Sequence, residues 1–125
     1  MGNRILLAED EPNIVESLTF LLERAGFTVA SHSNGQLALD AALANPPQVM
    51  VLDVMLPGLD GLEVLRRLRA DARTQSLPVL ILTAKGQRED RDRALSSGAN
   101  LFMTKPFSNA EVIAAVIGLA HGVPT

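Results

Sequence analysis

Four short apolar runs of the chain are each followed or ended by polar side chains that could take part in chemistry. Glu9 and Asp10 follow the first of these runs, Asp53 and Thr83 end two others, and Lys105 comes just after the last. Carboxylates held close together repel one another, and a divalent cation such as Mg²⁺ relieves that repulsion. A carboxylate nucleophile, a metal ion, a fixed ammonium and a hydroxyl are the parts that phosphoryl transfer needs. These residue types therefore indicate phosphoryl chemistry, provided that the fold brings them together.

The same side chains lie at the carboxyl ends of predicted β-strands. Five strands are predicted, at residues 4–8, 27–31, 48–53, 78–83 and 100–104. The first, third and fourth are almost continuously apolar, as expected for parallel strands that are covered on both faces. The second and fifth are less apolar, which fits the edges of a sheet.

Five helical patterns alternate with these strands. The first predicted helix begins near Pro12 and stops at Gly26, and the second covers residues 37–44. The third begins after Asp60, the fourth covers residues 88–97, and the fifth begins after Ser108. Asp60 and Ser108 are helix caps, each with a Glu three residues later, the spacing of a capping box. The third helix is predicted to turn Leu62, Leu65 and Leu68 inward and to keep Arg66, Arg67 and Arg69 in solvent.

Regular alternation of strands and helices predicts an α/β fold, a doubly wound five-stranded parallel sheet with helices on both faces. In such a sheet, ligands bind beyond the carboxyl ends of the strands. The three carboxylates, the hydroxyl and the ammonium are thus expected to converge on one edge.

Composition narrows the class of protein. The chain has 125 residues, 47% of them hydrophobic, which predicts one domain over residues 1–125, with an ordered core at about 4–120 and a tail or linker stump at 121–125. There is no cysteine for a disulfide or a thiolate metal site. The net charge of −3 argues against direct nucleic acid binding. No signal peptide or membrane span is visible, so a cytoplasmic location and no membrane insertion are expected.

The motifs resemble a known family. They are Glu9-Asp10, Asp53 with the run MLPGLDG at 55–61, Thr83-Ala84 and Lys105-Pro106-Phe107. In this order, each at a strand end, they are similar to the receiver domain of bacterial two-component response regulators, a chemotaxis-type single-receiver fold. The resemblance covers essentially the whole chain. It implies a flavodoxin-like sheet with strand order 2-1-3-4-5.

The resemblance also implies a metal site and a phosphoacceptor. Asp53 would accept a phosphoryl group from a sensor histidine kinase or a histidine phosphotransfer protein. Asp10, Asp53 and the backbone carbonyl of Met55 would bind Mg²⁺, for which Mn²⁺ can substitute, and Glu9 would bind it directly or through water.

Further residues would hold and report the phosphoryl group. Thr83 and the amides of Met55 and Ala84 would bind its oxygens, and Lys105 would pair with its charge. The Lys105–Pro106 peptide is expected to be cis.

The same resemblance implies a switch. Thr83 would move toward the phosphoryl group and Phe102 would turn inward, changing the surface of helix 4, strand 5 and helix 5 for a downstream effector or output domain. An aromatic on an edge strand is more often simply part of the core, so both interpretations of Phe102 stay open. Met55 and Lys85 stand where side chains of this family tune the phosphoryl lifetime, and the bulk of Met55 predicts slow autodephosphorylation.

The last helix is apolar or small over residues 112–120. Its outer side is either a harmless surface of Ala and Gly or an interaction patch. Ala114-Ala115 stand where an Arg is common in the family, and Leu101 follows Asn100 where an acid is common. The charged dimer of many relatives is therefore in doubt, and the oligomeric state is left open.

Two other functions compete with the switch. A haloacid-dehalogenase-like phosphatase would also use an aspartyl nucleophile, but it would carry a second Asp where this chain has Met55. A pseudo-receiver would act as a docking module without phosphorylation, but such proteins usually lack part of the acidic set or the Lys. We therefore expect no enzyme beyond self-directed phosphoryl uptake and autodephosphorylation.

Overall fold

The computed structural model describes residues 3–84 and 88–122. Their elements, in chain order, are β1 (Arg4–Ala8), α1 (Pro12–Arg24), β2 (Thr28–His32), α2 (Gly35–Ala44), β3 (Val49–Asp53), α3 (Gly61–Ala70), β4 (Val79–Thr83), α4 (Arg88–Ser96), β5 (Leu101–Thr104) and α5 (Asn109–Ala120). Lys85 and residues 123–125 of the predicted tail lie outside the described residues. In the part of the chain that is described, no helix combines the length and apolar character needed to cross a membrane.

The five strands form one parallel sheet in the order β2-β1-β3-β4-β5. This confirms the predicted fold class and strand order. All five residues of β3 and of β4 are buried, whereas β2 and β5 are partly exposed at the two edges, as their composition predicted. Asp53 pairs with Leu82 and Thr83 with Thr104, so the carboxyl ends of β3, β4 and β5 lie side by side.

Two apolar layers cover the sheet because successive side chains of a strand point to opposite faces. On one face, Leu6, Met50 and Leu52 pack with buried residues of α2 and α3. On the other, Leu7 and Val51 pack with buried residues of α1 and α5. Both layers anchor β1 and β3, the strands that lead to Glu9 and Asp53.

Helix boundaries follow their caps more closely than their apolar pattern. The side chain of Asn34 accepts hydrogen bonds from the amides of Gln36 and Leu37, at 2.9 and 3.2 Å, so α2 begins at Gly35 rather than at 37. Asp60 caps α3 through the amide of Leu62 at 2.7 Å, as predicted.

The capping box of α3 is not seen among the described contacts. Glu63 instead binds Arg66 and Arg67 one turn further along the helix. These hydrogen bonds lower the pKa of Glu63 to about 2.

Arg69 corrects the prediction of a wholly solvated arginine face. Its guanidinium is partly buried and donates to the carbonyl of Gly98 through Nε at 3.0 Å and Nη2 at 2.8 Å. It also donates to the carbonyl of Thr74 at 3.1 Å and to Oδ1 of Asn100 at 3.1 Å. Asn100 Oδ1 accepts a further bond from the amide of Val79, at 2.9 Å, so this side chain has a structural role at the start of β4.

Candidate functional site

The carboxyl edge of the sheet carries the predicted site residues. Glu9 and Asp10 follow β1, Asp53 ends β3 and Thr83 ends β4. Glu9, Asp53 and Thr83 are buried, with 1 to 3% of their surface exposed, whereas Asp10 is exposed. Buried polar groups at the end of fully apolar strands are costly unless they are paired, so a functional explanation is favoured.

Three carboxylates meet in this site. Glu9, Asp10 and Asp53 each offer an oxygen, and these oxygens all lie within 4.8 Å of one another. Oε2 of Glu9 accepts a hydrogen bond from the amide of Glu11 at 3.1 Å, and its buried Oε1 lies 3.1 Å from Nζ of Lys105. Three carboxylates this close together, two of them buried, fit a hard divalent cation, which prefers such oxygen ligands.

Lys105 neutralises part of this negative charge. Its Nζ donates to Oδ2 of Asp53 at 2.9 Å and to Oε2 of Glu9 at 3.1 Å. A third bond, also 3.1 Å, goes to Oε1 of Glu11. The amide of Lys105 donates to the carbonyl of Thr83 at 2.8 Å, which fixes the residue beside the end of β4. The Lys105–Pro106 peptide is cis, as the resemblance implied.

The pKa values of the site reflect burial and pairing. Burial raises the pKa of Glu9 to about 7, although the amide of Glu11 and the ammonium of Lys105 work against the shift. Burial alone would lower the pKa of Lys105, but its hydrogen bonds to Asp53, Glu9 and Glu11 raise it instead. The ammonium is therefore charged at every physiological pH, while Glu9 can change its protonation near neutrality.

The loop after β3 holds Asp53 in place. The amide of Met55 donates to Oδ1 of Asp53 at 3.0 Å, while its side chain is 52% exposed at the rim of the site. The amide of Gly61 donates to the carbonyl of Val54 at 2.8 Å, so α3 starts directly behind the acceptor strand. A Cβ at Gly61 would lie only 2.4 Å from the carbonyl oxygen of Asp53, so this close approach requires glycine.

Phe102 lies away from the carboxylates. It pairs with Ile81 in the sheet, is partly buried, and packs against the apolar layer formed with α2 and α3. It also lines a surface depression of about 430 Å³ together with Arg91 of α4 and Glu111 of α5. The structure thus places Phe102 between the core and the surface that a switch would have to change, and both interpretations of this residue remain compatible with its position.

The outer side of α5 matches its apolar sequence. Val112, Ala115 and Val116 are buried, whereas Ala114 is exposed and Ile117 is 38% exposed. Ser108 caps this helix by accepting a hydrogen bond from the amide of Glu111.

One site residue was missed by sequence reasoning. Glu11 was not singled out, because its partner Lys105 lies 94 residues away in the chain. The available signal was a Glu immediately before the Pro that opens a helix, a position where Ser, Thr, Asp or Asn is preferred.

A five-stranded parallel sheet with an acid cluster and a lysine at its carboxyl edge defines a receiver-type α/β domain. The family model described as "Response regulator receiver domain" matches residues 5–117 of the chain. This match spans most of the sequence, and the chain belongs to the response regulator receiver domain family.

Curated relatives place the chain beside transcriptional regulators. It is 46% identical over 116 residues to the alkaline phosphatase synthesis transcriptional regulatory protein PhoP of Bacillus subtilis, covering 93% of this chain and 48% of PhoP. It is 39% identical over 116 residues to the phosphate regulon transcriptional regulatory protein PhoB of Escherichia coli, covering 93% of this chain and 51% of PhoB. The chain thus spans about half the length of these relatives.

Solved structures agree with the fold. The receiver domain of the Francisella response regulator 1452 is 33% identical with a TM-score of 0.89, covering 95% of this chain and 97% of that one. The receiver domain of the sensor histidine kinase PA1611 from Pseudomonas aeruginosa is 29% identical with a TM-score of 0.84, covering 97% and 99%. That structure is described as having a magnesium ion coordinated in its active site cleft.

Proposed function

We propose that this chain is a phosphorylation-dependent signalling switch in which Asp53 accepts a phosphoryl group. The observation that carries the proposal is the bridge from Lys105 to the buried carboxylate of Asp53, within a cluster of three acids. An ion pair that only stabilised the surface of the domain would need neither a buried carboxylate nor two further carboxylates beside it. Phosphoryl transfer to an aspartate needs both a neutralised acid cluster and a fixed ammonium.

The transfer step follows from the position of Asp53. A carboxylate oxygen of Asp53 attacks the phosphorus of a phosphohistidine donor, an O–P bond forms, and the bond from phosphorus to the histidine nitrogen breaks. The product is an acyl phosphate on Asp53 and a free histidine on the donor. A sensor histidine kinase or a histidine phosphotransfer protein would supply this donor.

A metal ion would be held by the acid cluster. Asp10, Asp53 and the carbonyl of Met55 would be ligands of Mg²⁺, and Glu9 would bind it directly or through water. The close approach of the three carboxylates supports this assignment. Mg²⁺, or Mn²⁺ in its place, would neutralise charge on the transferring phosphoryl oxygens.

The remaining oxygens of the phosphoryl group would be bound by the protein itself. The amide of Met55 already points at Oδ1 of Asp53. The hydroxyl of Thr83 and the amide of Ala84, both at the end of β4, are the other proposed donors. Lys105 would exchange part of its present pairing for the phosphoryl charge, since an ammonium pairs strongly with phosphate oxygens.

The signal would be a change of surface. Phosphorylation replaces the single negative charge of the Asp53 carboxylate with the about −1.5 to −2 charge units of a phosphate group. Thr83 would move toward the added group, and Phe102 would turn inward. The depression lined by Phe102, Arg91 and Glu111 would then change shape, and a downstream effector or output domain would recognise α4, β5 and α5 in the new state.

The organisation of the protein around this switch is also a proposal. Residues 1–125 would be the receiver domain, with an ordered core at about 4–120 and a tail or linker at 121–125. Relatives twice as long are named as transcriptional regulators, so a DNA-binding output would lie in a separate domain and not in this acidic chain. A cytoplasmic location would suit partners of this kind.

Intact mass after incubation with Mg²⁺ and acetyl phosphate tests the proposal. We expect the wild type to gain one alkali-labile group of about 80 Da and Asp53→Asn to gain none. Asp60→Asn is the matched control, because it removes an exposed acid from the same loop and leaves Asn, which also caps helices well. Uptake by Asp53→Asn at the wild-type rate would refute the assignment of the acceptor.

Two other outcomes would favour the rival functions. Metal binding without phosphoryl uptake, from acetyl phosphate or from a phosphorylated kinase, would favour a pseudo-receiver docking module. Sustained hydrolysis of p-nitrophenyl phosphate, lost in Asp53→Asn, would favour a haloacid-dehalogenase-like phosphatase.

A further inference from the structure

Glu11 occupies a helix cap without capping the helix. It is the N-cap residue of α1, but its side chain accepts no hydrogen bond from the first turn. Glu is not among the preferred N-cap residues. The carboxylate instead extends to Lys105, with Oε1 3.1 Å from Nζ. A residue that breaks a local rule in this way points to a role outside its own helix.

The contact completes the hydrogen bonding of Lys105. An ammonium has three protons to donate, and these are taken by Asp53, Glu9 and Glu11. Before transfer, while Asp53 is still a carboxylate, the phosphoryl group of an incoming donor can therefore gain this ammonium only if one of the three carboxylates gives up its bond.

Of the three carboxylates that bind Lys105, Glu11 is the one whose bond is most easily given up, because it is the most exposed. The side chain of Glu11 is 57% exposed, whereas those of Asp53 and Glu9 are 4% and 0% exposed. A released Glu11 carboxylate is simply hydrated, whereas a buried carboxylate left without a partner is strongly disfavoured. Before transfer, the least costly exchange is therefore between Glu11 and the phosphoryl group of the donor.

Glu11 also borders an open depression beside Lys105. Together with Ala84, Lys105 and Pro106 it lines a surface depression of about 400 Å³. Its negative charge there lies beside the ammonium of Lys105, which an anionic donor would approach.

We propose that Glu11 is a positioning residue that holds Lys105 in the unphosphorylated protein and restrains phosphorylation by small anionic donors until it is displaced. This role rests on the proposed function of Asp53. Asp53 and Glu9 bind Lys105 from the buried side, and Glu11 binds it from the solvent side. The exposed carboxylate of Glu11 thus occupies the position beside Nζ of Lys105 that the phosphoryl group would take.

Three variants separate this role from a simple effect of charge. Glu11→Gln removes the charge and weakens the contact with Lys105. Glu11→Asp keeps the charge but is one methylene shorter, and Asp can cap α1 instead. Glu23→Gln is the matched control, because it removes the same charge from an exposed position of α1, about 18 Å further along the helix.

The first readout is the initial rate of phosphorylation by acetyl phosphate at saturating Mg²⁺, followed by intact mass. An exposed ion pair corresponds to a factor of up to about five. We expect Glu11→Gln and Glu11→Asp both to be about fivefold faster than wild type, and Glu23→Gln to be unchanged. Equal rates in wild type and Glu11→Gln, or a faster rate in Glu11→Gln but not in Glu11→Asp, would overturn the proposal.

The second readout needs neither metal nor phosphorylation. The chain has only two lysines, Lys85 and Lys105, so the ammonium nitrogen of Lys105 can be assigned by NMR from a Lys85→Arg variant. We expect its signal to shift in metal-free Glu11→Gln and not in Glu23→Gln, and no shift would overturn the contact itself. A wild type that takes up no phosphoryl group would count against the proposed function, while this NMR comparison would still decide the role of Glu11.

Discussion

Replacing Lys105 with Met would remove the ammonium from the acid cluster and keep most of the length of the side chain. The side chain of Lys105 is 11% exposed, and it pairs with the buried Asp53 at 2.9 Å and with the buried Glu9 at 3.1 Å. Removing one partner from a buried ion pair costs about 3–5 kcal/mol, because an uncompensated charge is left behind. The raised pKa of Glu9, about 7, lets that carboxyl take up a proton and brings the expected loss to the lower end, about 3 kcal/mol.

Thermal unfolding followed by circular dichroism would measure this loss. In EDTA at pH 7.5, about 3 kcal/mol corresponds to a Tm lower by about 10–15 °C for a domain of this size. Saturating Mg²⁺ should recover part of the difference, because a divalent cation can neutralise the same carboxylates. Arg88→Met is the matched control, since Arg88 is exposed and has no ion pair with the described residues. A Tm within about 3 °C of wild type for Lys105→Met in EDTA would refute the view that Lys105 neutralises the cluster.

Two further predictions concern Glu9 and Met55. In metal-free protein the folded pKa of Glu9, about 7, lies above its unfolded value of 4.5, so its stabilising contribution is complete below pH 4.5 and is lost as the pH rises to 7. Urea denaturation in EDTA should therefore show that the unfolding free energy of wild type, relative to Glu9→Gln, falls between these pH values, and parallel pH profiles would contradict this. The exposed thioether of Met55 cannot position a water for attack on phosphorylated Asp53. We therefore expect the added mass of the phosphoryl group to persist for minutes or longer once the donor is removed. A lifetime of seconds would show this reasoning to be wrong.

Much of the fold could be predicted because its signals are local. The apolar run of β1 has the predicted bounds, and the predicted starts of β3, β4 and β5 lie within one residue of the observed ones. β2 begins one residue later than predicted, because the amide of Phe27 is bonded to the carbonyl of Leu22 at the end of α1. Boundaries of this kind depend on single hydrogen bonds, which periodicity does not register.

The candidate site was predictable for a different reason. Asp53 and Thr83 end strands that the sequence marks clearly, and parallel strands bring their carboxyl ends to one edge. The contacts that were missed join distant parts of the chain. Arg69 was expected in solvent because the pattern of its own helix says nothing about the carbonyl of Gly98, 29 residues away. Glu11 escaped notice in the same way, since only the folded chain brings it to Lys105.

The arginine bridge has a mechanical consequence for α4. Beyond the last residue of this helix, the carbonyl of Gly98 is held by two bonds from Arg69, and the amide of Asn100 is bonded to the carbonyl of Val79 at 2.9 Å. Only Ala94 of α4 is buried, so little packing fastens the rest of the helix to the sheet. If α4 moved, it would tilt about its Gly98 end. Displacement would be greatest at Arg88, the end that follows β4 and the acceptor edge.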